Sequence, residues 1–413
     1  MLQRFILIIT TVIFWHLSIF GTLAKDKKFE NLDKFPPSPL EITTPDPLLP
    51  NLANKRELTP VELQKLKTDL DELNQEAQKI LQGEDNKKAF EMWNRELRLR
   101  RFLGPLAEVE ALSRVGEISV NENEREEVQY ISQRLQVIQS DMLKQKSTDL
   151  QLWKSLANAY QKLRLYKLAI SAYEQILILG KQQQDSFAEI ETLKNIGELH
   201  LSWFDYNQAA NVYQKLLNLA INQGNKTNEL AYLQQLAYIY TQGKQHQPAI
   251  DILNKLVEIS TNEQNLTQIP TLKLAIAANY EFLAKENPNF RQQAFDNYQE
   301  AYTIAWKLEQ YARAGEALNK LIALYRSQKQ ITAALETSKI LIETETLANN
   351  FYGLMSAYDQ IGNLYLEQRE YAKALTAFEK GLEIAQELKY QESYFTKQIE
   401  RLKTQIKISR ISG

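Results

Sequence analysis

The sequence predicts an all-α protein, a superhelical solenoid of about eight stacked helix pairs followed by a C-terminal capping helix. One unit recurs eight times at intervals of 39 to 45 residues, with a small residue on a first helix and an Ala-centred second helix. A unit repeated at a nearly fixed interval cannot bury its apolar face alone, so neighbouring units must stack. With only 13 Gly and 11 Pro in 413 residues, the body can be almost continuously helical. The small residues are Ala77, Gly116, Ala157, Gly197, Ala237, Ala277, Ile322 and Gly362, of which Ile322 alone is bulky.

The N-terminus is typical of an exported protein. Arg4 gives a short positive start, residues 5–20 are strongly apolar, and small residues precede a cleavage site before Lys25. Residues 5–24 are also long enough, and free enough of charge, to act as a membrane anchor. We therefore predict that residues 1–24 are a signal peptide or a membrane anchor. The rest of the chain is expected in the periplasm, the thylakoid lumen or the extracellular space.

A Pro-rich stretch follows the export segment. Six of the eleven prolines lie between residues 35 and 50, a composition that favours an extended polyproline conformation. Residues 25–58 are therefore predicted to be a disordered linker that tethers the body. Thr59, Pro60 and Glu62 can then form a capping box at the start of the first helix, so the solenoid is predicted to cover residues 59–388.

The third unit shows the repeat most clearly. Its first helix carries Trp153, Leu156, Ala157 and Tyr160 on one face, and its second helix carries Ala169, then Tyr173 four residues later. These positions resemble the tetratricopeptide repeat, Trp-x₂-Leu-Gly-x₂-Tyr followed by Ala-x₃-Phe. We expect the small residue to let two helices cross, with the second-helix Ala as its matching contact. Residues 95–106 also resemble a segment of secreted cyanobacterial proteins with the same repeat.

Two departures from the tetratricopeptide pattern affect the expected structure. The interval of about 40 residues exceeds the usual 34 or so, which implies longer helices, as in family members that sense peptides or adapt cargo. The sixth unit has about five extra residues around Pro288, which we expect to loosen the turn between its helices. Residues 389–413 contain an amphipathic pattern with Ile399, Leu402 and Ile406, and are predicted to form the capping helix and tail.

Composition excludes several classes of function. The chain has no Cys, which removes disulfides, thiol catalysis and zinc sites with Cys ligands. A net charge of −2 argues against a nucleic-acid partner, and there is no Gly-rich phosphate loop, metalloprotease motif or nucleophile elbow. His200 replaces the Tyr of sister repeats, and we interpret it as a packing residue. We therefore expect no catalytic residue, no cofactor and no metal site.

A basic run on the first repeat can be interpreted in two ways. Arg95, Arg98, Arg100 and Arg101 could form an anion-binding patch. However, Glu91 precedes Arg95 by four residues, and Glu96 precedes Arg100 by the same interval. Glu–Arg pairs at this spacing stabilise an exposed helix surface, so we favour a solvated helix face.

The inner wall of the solenoid is the predicted functional surface. In the tetratricopeptide family the first helix of each repeat lines the concave side, and this resemblance implies a polar wall of mixed charge. Such a wall suits an extended peptide or a partner helix, although a merely solvated groove would look the same. Lys154, Asn158 and Asn195 match three positions of the family's carboxylate clamp, but Ala231 and Gln235 replace its remaining cations. The predicted partner groove consists of Lys154, Asn158, Gln161, Glu191, Lys194, Asn195, Glu198, Gln234, Tyr238 and Thr241.

These observations favour a non-enzymatic, exported scaffold that binds a protein or peptide in its concave groove. One alternative is a peptide-sensing regulator whose superhelix changes shape when ligand binds. A second alternative is a subunit of an enzyme or of an envelope or photosynthetic assembly complex. Co-elution with a protein favours the scaffold, whereas a small ligand that raises the melting temperature favours the alternatives.

Overall fold

A computed structural model describes residues 38–42, 45–49 and 57–411, with side chains up to residue 407. The predicted signal peptide or anchor, residues 1–24, lies outside these residues, as does most of the predicted linker. Within the described part of the chain, no helix is both long and apolar enough to cross a membrane. The same residues contain α- and 3₁₀-helices and no strand, as an all-α fold requires.

The chain divides into two compact units, residues 1–175 and 176–413, and the boundary falls inside the sixth α-helix. Seventeen α-helices in the described residues form eight pairs and a final helix, which confirms the predicted fold class. The helices up to the boundary are α1 (Pro60–Gln82), α2 (Asn86–Arg100), α3 (Pro105–Asn121), α4 (Arg125–Lys144), α5 (Leu150–Lys162) and α6 (Tyr166–Gln182). Those after it are α7 (Ser186–Ser202), α8 (Tyr206–Asn222), α9 (Lys226–Gln242), α10 (His246–Asn262), α11 (Ile269–Glu286), α12 (Arg291–Lys307), α13 (Tyr311–Ser327), α14 (Ile331–Leu347), α15 (Phe351–Glu367), α16 (Tyr371–Leu388) and α17 (Glu392–Ile411).

The repeat interval of 40 residues has a simple structural origin. From α6 to α10, and again from α13 to α15, each helix has 17 residues, and consecutive helices within each run are joined by three-residue turns. Two helices and two turns therefore account for one repeat. The expected longer helices are found in both members of the pair. The predicted capping box is also present at the start of α1, where Glu62 Oε2 accepts from the Thr59 backbone N–H at 2.8 Å.

The turns use a left-handed residue at their centre, and this residue is usually not Gly. Phe204 has φ 58°, and Lys244 and Lys329 have φ 57° and 60°; Gly occupies the same position only at Gly224 among the three-residue turns described. In the turn after α7, the Asp205 N–H donates to the His200 carbonyl oxygen at 2.8 Å. This bond is part of the Schellman arrangement that ends helices and satisfies their last carbonyl groups.

Two of the small residues, Gly197 and Gly362, face an aromatic ring on the second helix of their repeat. A Cβ added to Gly197 would lie 2.7 Å from Tyr213 Cε2, and one added to Gly362 would lie 2.7 Å from the Phe378 ring. We expected the second-helix Ala to make this contact, but the nearest side chain is the aromatic ring, 16 residues after the Gly. The crossing must therefore accommodate a whole ring, which explains why these two positions are Gly.

Ile322, the bulky exception, occupies the small-residue position of the seventh repeat and is buried. Sixteen residues later, where repeats one, three, four and eight carry an aromatic ring, the chain has Ser338, which is fully buried. A large residue on one helix and a small one on the other preserve the combined volume. Volume-conserving exchanges of this kind are the changes that a packed core tolerates best.

The extra residues of the sixth repeat mainly lengthen its first helix. A 3₁₀ turn, Leu266–Gln268, leads into α11, which continues to Glu286. A second 3₁₀ turn, Pro288–Phe290, joins α11 to α12. The expectation of a looser turn is therefore wrong, because the connection is itself a short helical turn.

The C-terminal helix covers the end of the last repeat, as predicted. Phe395, Ile399 and Leu402 of α17 are buried in one cluster with Phe378 and Met355 of the eighth repeat. The intervening Lys403 and Glu400 are exposed. This helix therefore presents one apolar face to the repeats and one polar face to solvent.

The described part of the Pro-rich stretch is packed against the first unit through two buried leucines. Leu40 is 1% exposed and Leu49 is 4% exposed. Arg95, which we expected to pair with Glu91, instead forms a salt bridge with Asp46 at 2.8 Å. The prediction of a disordered tether is therefore wrong for residues 38–42 and 45–49. The prediction that the arginines of the basic run form a solvated helix face is also wrong, because residues 38–42 and 45–49 contact Arg95, Arg98 and Arg101.

Candidate functional site

The ten predicted groove residues lie on the first helices of the third, fourth and fifth repeats. Nine are exposed, and Asn195 is half-buried. Those on α5 belong to the first unit, and those on α7 and α9 belong to the second. The surface position agrees with the predicted register, whereas a role in binding stays a prediction.

Some groove side chains are held by neighbours. Gln161 Oε1 accepts a hydrogen bond from the Tyr173 hydroxyl at 3.0 Å, which links α5 to α6. Lys194 Nζ lies 5.8 Å from the centre of the Tyr232 ring, which links α7 to α9. Tyr238 is 52% exposed, so its ring is available for contact with another molecule.

A pocket on the first helices of repeats one and two was not predicted from the sequence. It has a volume of about 710 Å³ and lies between α1 and α3. The size is within the usual range for ligand sites in proteins. Its lining combines apolar and charged side chains: Pro60, Leu63, Gln64, Lys67, Asp71, Arg100, Leu103, Ala107, Glu110, Ala111 and Arg114.

The two arginines of this pocket are fixed by a buried carboxylate. Glu96 is 0% exposed, and its Oε1 accepts from Arg100 Nε at 2.9 Å and from Arg114 Nη2 at 2.6 Å. Arg100 Nη2 also donates to Asp71 Oδ1 at 2.6 Å, and Arg114 Nη1 donates to Asn74 Oδ1. Burial would lower the pKa of Arg100, but the bonds to Asp71 and Glu96 outweigh it, so its pKa is raised. The floor of the pocket is therefore rigid and carries a permanent charge.

A second, smaller pocket of about 140 Å³ lies beside the first and shares Glu110 and Arg114 with it. It lies between α3 and α5, and Ser113, Ser155, Asn158 and Lys162 complete its lining. The Ser113 hydroxyl is buried and has no hydrogen-bond partner among the described residues. Asn158 is the predicted groove residue that reaches this pocket.

The second unit has a comparable pocket on its own first helices. It has a volume of about 470 Å³ and lies between α13 and α15. Gln360 Nε2 donates to Asn319 Oδ1 at 2.9 Å across it, and Ile322 and Leu364 supply apolar surface. First helices thus form pockets in both units.

The described residues offer no group of three or more His, Asp or Glu side chains that could hold a metal ion. His200 is buried on α7, with its Nδ1 3.6 Å from Asp205 Oδ2. That position agrees with its interpretation as a packing residue. The polar side chains of the pockets can position a ligand.

Comparison with protein families supports the repeat assignment. Family models described as tetratricopeptide repeat match residues 152–186, 230–263 and 356–388. These segments coincide with the third, fifth and eighth repeats. No curated protein matches the sequence.

Several solved structures have a similar arrangement of helices. BtubC from P. vanneervenii is 18% identical, over 54% of this chain and 92% of that one, with a TM-score of 0.37. A signal transduction ATPase with a tetratricopeptide repeat sensor, from Pyrococcus horikoshii, is 14% identical over 84% of this chain and 50% of that one, with a TM-score of 0.42. Aspartyl phosphate phosphatase F from Bacillus subtilis is 15% identical over 71% of this chain and 79% of that one, with a TM-score of 0.41. Since identities and TM-scores are low, these similarities carry no argument about function.

Proposed function

We propose that this chain, whose helix pairs are tetratricopeptide repeats, is a non-enzymatic scaffold that binds a protein or peptide partner on its first helices. The observation that carries the proposal is the pair of adjoining pockets on α1, α3 and α5. They share lining residues, so one extended ligand can occupy both. Two adjoining pockets suit an extended peptide better than a compact metabolite.

The chemistry of the two pockets fits an extended peptide. Leu63, Leu103 and Ala107 offer apolar surface for a side chain of the partner. Lys67, at the rim of the larger pocket, and Asn158, in the smaller one, can form hydrogen bonds with its polar groups. Peptide recognition commonly combines apolar anchors with polar contacts of this type.

The first test identifies the partner and the surface together. A photo-reactive residue at position 158 should crosslink the native partner, whereas the same residue at exposed position 174 on α6 should not. Replacing Lys67, Glu110 and Asn158 by Ala should then weaken binding of that partner at least tenfold, or about 1.4 kcal/mol. Helical content should stay unchanged, because exposed positions seldom cost more than about 0.5 kcal/mol.

A matched control separates the first helices from the second. Replacing the groove residues Lys154, Lys194 and Tyr238, which the sequence predicts, by Ala tests the first helices of the third, fourth and fifth repeats in the same assay. The control replaces exposed second-helix cations at equivalent intervals, namely Lys167, Lys215 and Lys255. If the control weakens binding and neither first-helix triple does, the partner docks on the second helices and the proposal fails.

We also propose that the scaffold works outside the cytosol. The support is the apolar sequence of residues 5–20 and the small residues before Lys25. N-terminal sequencing of the native protein should find Lys25 as the first residue. Recovery of Met1 on membrane-bound protein instead indicates an anchor, and recovery of Met1 on soluble cytosolic protein refutes export.

A further inference from the structure

The N-terminal strap, defined here as residues 38–42 and 45–49, forms two short turns that pack on the first unit, chiefly on its second helices. Ser38 caps a 3₁₀ turn, Pro39–Glu41, and Leu49 N–H donates to the Asp46 carbonyl oxygen at 2.9 Å. Leu49 is buried in one cluster with Leu66 and Leu70 of α1 and Leu99 of α2. The strap thus inserts leucines at two separate points.

A stripe of three arginines holds the strap between these points, with Arg95 and Arg98 on α2 and Arg101 in the 3₁₀ turn that follows it. Arg95 donates two hydrogen bonds of 2.8 Å to Asp46, from Nε to Oδ2 and from Nη2 to Oδ1. Arg98 Nη1 donates to the Pro39 carbonyl oxygen at 3.0 Å. Arg101 Nη2 donates to the Leu40 carbonyl oxygen at 2.6 Å and to Glu41 Oε1 at 3.0 Å. These contacts recognise both the backbone and the acidic side chains of an extended segment.

The charges of the stripe and of the strap are complementary. The pKa of Arg98 is lowered, mainly by burial, and the neighbouring charges of Arg95 and Arg101 add to this effect. The strap supplies a carboxylate that balances these positive charges. Hydrogen bonds from Arg95 hold the pKa of Asp46 below its usual value, so Asp46 stays ionised beside the stripe. Arginine–carboxylate pairs with two parallel bonds combine strength with geometric selectivity.

Part of the stripe is positioned by the body of the protein rather than by the strap. Glu108 of α3 is buried, and its Oε1 lies 3.2 Å from Arg101 Nε. Arg134 of α4 fixes the same carboxylate with bonds of 2.6 and 3.0 Å. These partners belong to two helices of the body, α3 and α4, so the ion pair between Arg101 and Glu108 does not depend on the strap. This part of the face is therefore present without the strap.

We propose that this face is a second peptide-docking site, separate from the first-helix pockets, which the strap occupies in cis and from which a partner segment displaces it. The partner is an extended, acidic segment of another protein with the spacing of the strap: Leu, a carboxylate six residues later, and Leu three residues after that. A segment tethered to the same chain has a high effective concentration, so the strap sets a threshold that the partner must exceed.

The test uses the full-length chain and a synthetic peptide of residues 38–49. Since the chain contains no Cys, Ile42→Cys, at an exposed strap position, gives a unique site for a spin label. The label should be immobile in the free protein, and excess unlabelled peptide should convert it to a mobile form. A peptide with Leu40→Asp and Asp46→Asn is the matched control, and it should not release the label.

A second variant measures the vacated face directly. Leu40→Asp with Asp46→Lys in the full chain should open the strap. A labelled version of the peptide of residues 38–49 should then bind this variant at least tenfold more tightly than it binds the wild type. Adding Arg95→Ala should remove that gain, whereas adding Lys167→Ala should keep it.

Three outcomes overturn the proposal. A spin label that stays immobile at millimolar peptide makes the strap a permanent part of the fold. An opened variant that keeps its helical content and binds no peptide excludes a preformed face. Dimerisation of the opened variant in light scattering makes a second copy of this chain, rather than another protein, the occupant.

Discussion

Glu127 makes the stability of the first unit depend on pH in a direction opposite to that of most carboxylates. It lies near the start of α4, and Asn94 Nδ2 of α2 donates to its Oε1 at 3.0 Å. Burial raises the pKa of Glu127 from its usual 4.5 to about 7; Glu124 and Glu126 add to the effect and the Asn94 bond opposes it. Asn94 Oδ1 and Glu127 Oε2 are buried without a hydrogen-bond partner in the described part of the chain. A proton on Glu127 supplies a donor to this acceptor-rich site.

The sign of the pH effect follows from proton uptake. Between pH 4.5 and 7 the unfolded chain has released the Glu127 proton while the folded chain retains it, so the free energy of unfolding falls as pH rises. At about 1.36 kcal/mol for each pKa unit, the loss reaches at most about 3.4 kcal/mol above pH 7. Below pH 4.5 the residue is protonated in both states, and no stability is lost.

Replacing Glu127 by Gln removes the charge and retains an amide that can bond to Asn94. We expect E127Q to equal the wild type near pH 4.5 and to exceed it by up to about 3 kcal/mol at pH 8, in urea unfolding followed by circular dichroism. Hydrogen exchange at a single pH should place the gain in α2 and α4, because stability in a repeat protein is largely local. Glu126→Gln, at an exposed neighbour, should change stability by less than about 0.5 kcal/mol. Equal pH profiles for E127Q and wild type would refute the reasoning.

Three further predictions concern the repeats. Gly197→Leu should overpack the Tyr213 ring, cost about 1–3 kcal/mol, and loosen hydrogen exchange in α7 and α8; unchanged exchange there means that the repeat register is wrong. Lys329→Gly should raise the free energy of unfolding by up to about 1 kcal/mol, because Gly adopts φ 60° without strain, and Lys329→Ala should give no gain. Ile322→Gly and Ser338→Tyr should each destabilise α13 and α14, whereas the double variant should recover part of the loss in a thermal unfolding cycle; strict additivity refutes volume compensation.

The sequence predicts the helix pairs well because their contacts are local and repeated. The burial of Ala157, Ala237 and Gly362 follows from an apolar pattern that recurs in each repeat. The turns were harder to place. Their left-handed positions hold Lys, Gln, Arg or Phe far more often than Gly, so the usual signal for a helix end is missing.

The buried charges of the first unit were misinterpreted for a related reason. Glu96 and Arg100 do form the expected pair four residues apart, with Oε1 2.9 Å from Nη2. However, α3 covers them, since Arg114 binds the same carboxylate. The spacing of two charges along one helix predicts that they meet but not whether another helix lies over them. The match to the repeat motif is weaker in repeats one and two, where the 710 Å³ pocket lies.

The strap shows where inference from local pattern reaches its limit. Its bonds join residues far apart in sequence, 49 positions from Asp46 to Arg95 and 61 from Leu40 to Arg101. A proline-rich composition disfavours α-helix and predicts an extended chain, a conformation in which peptides commonly dock as well. Composition therefore cannot distinguish a free tether from a bound strap. The distinguishing signal is on the receiving surface, where Arg95, Arg98 and Arg101 recur at three-residue intervals and offer more cationic groups than Glu91 alone can pair with.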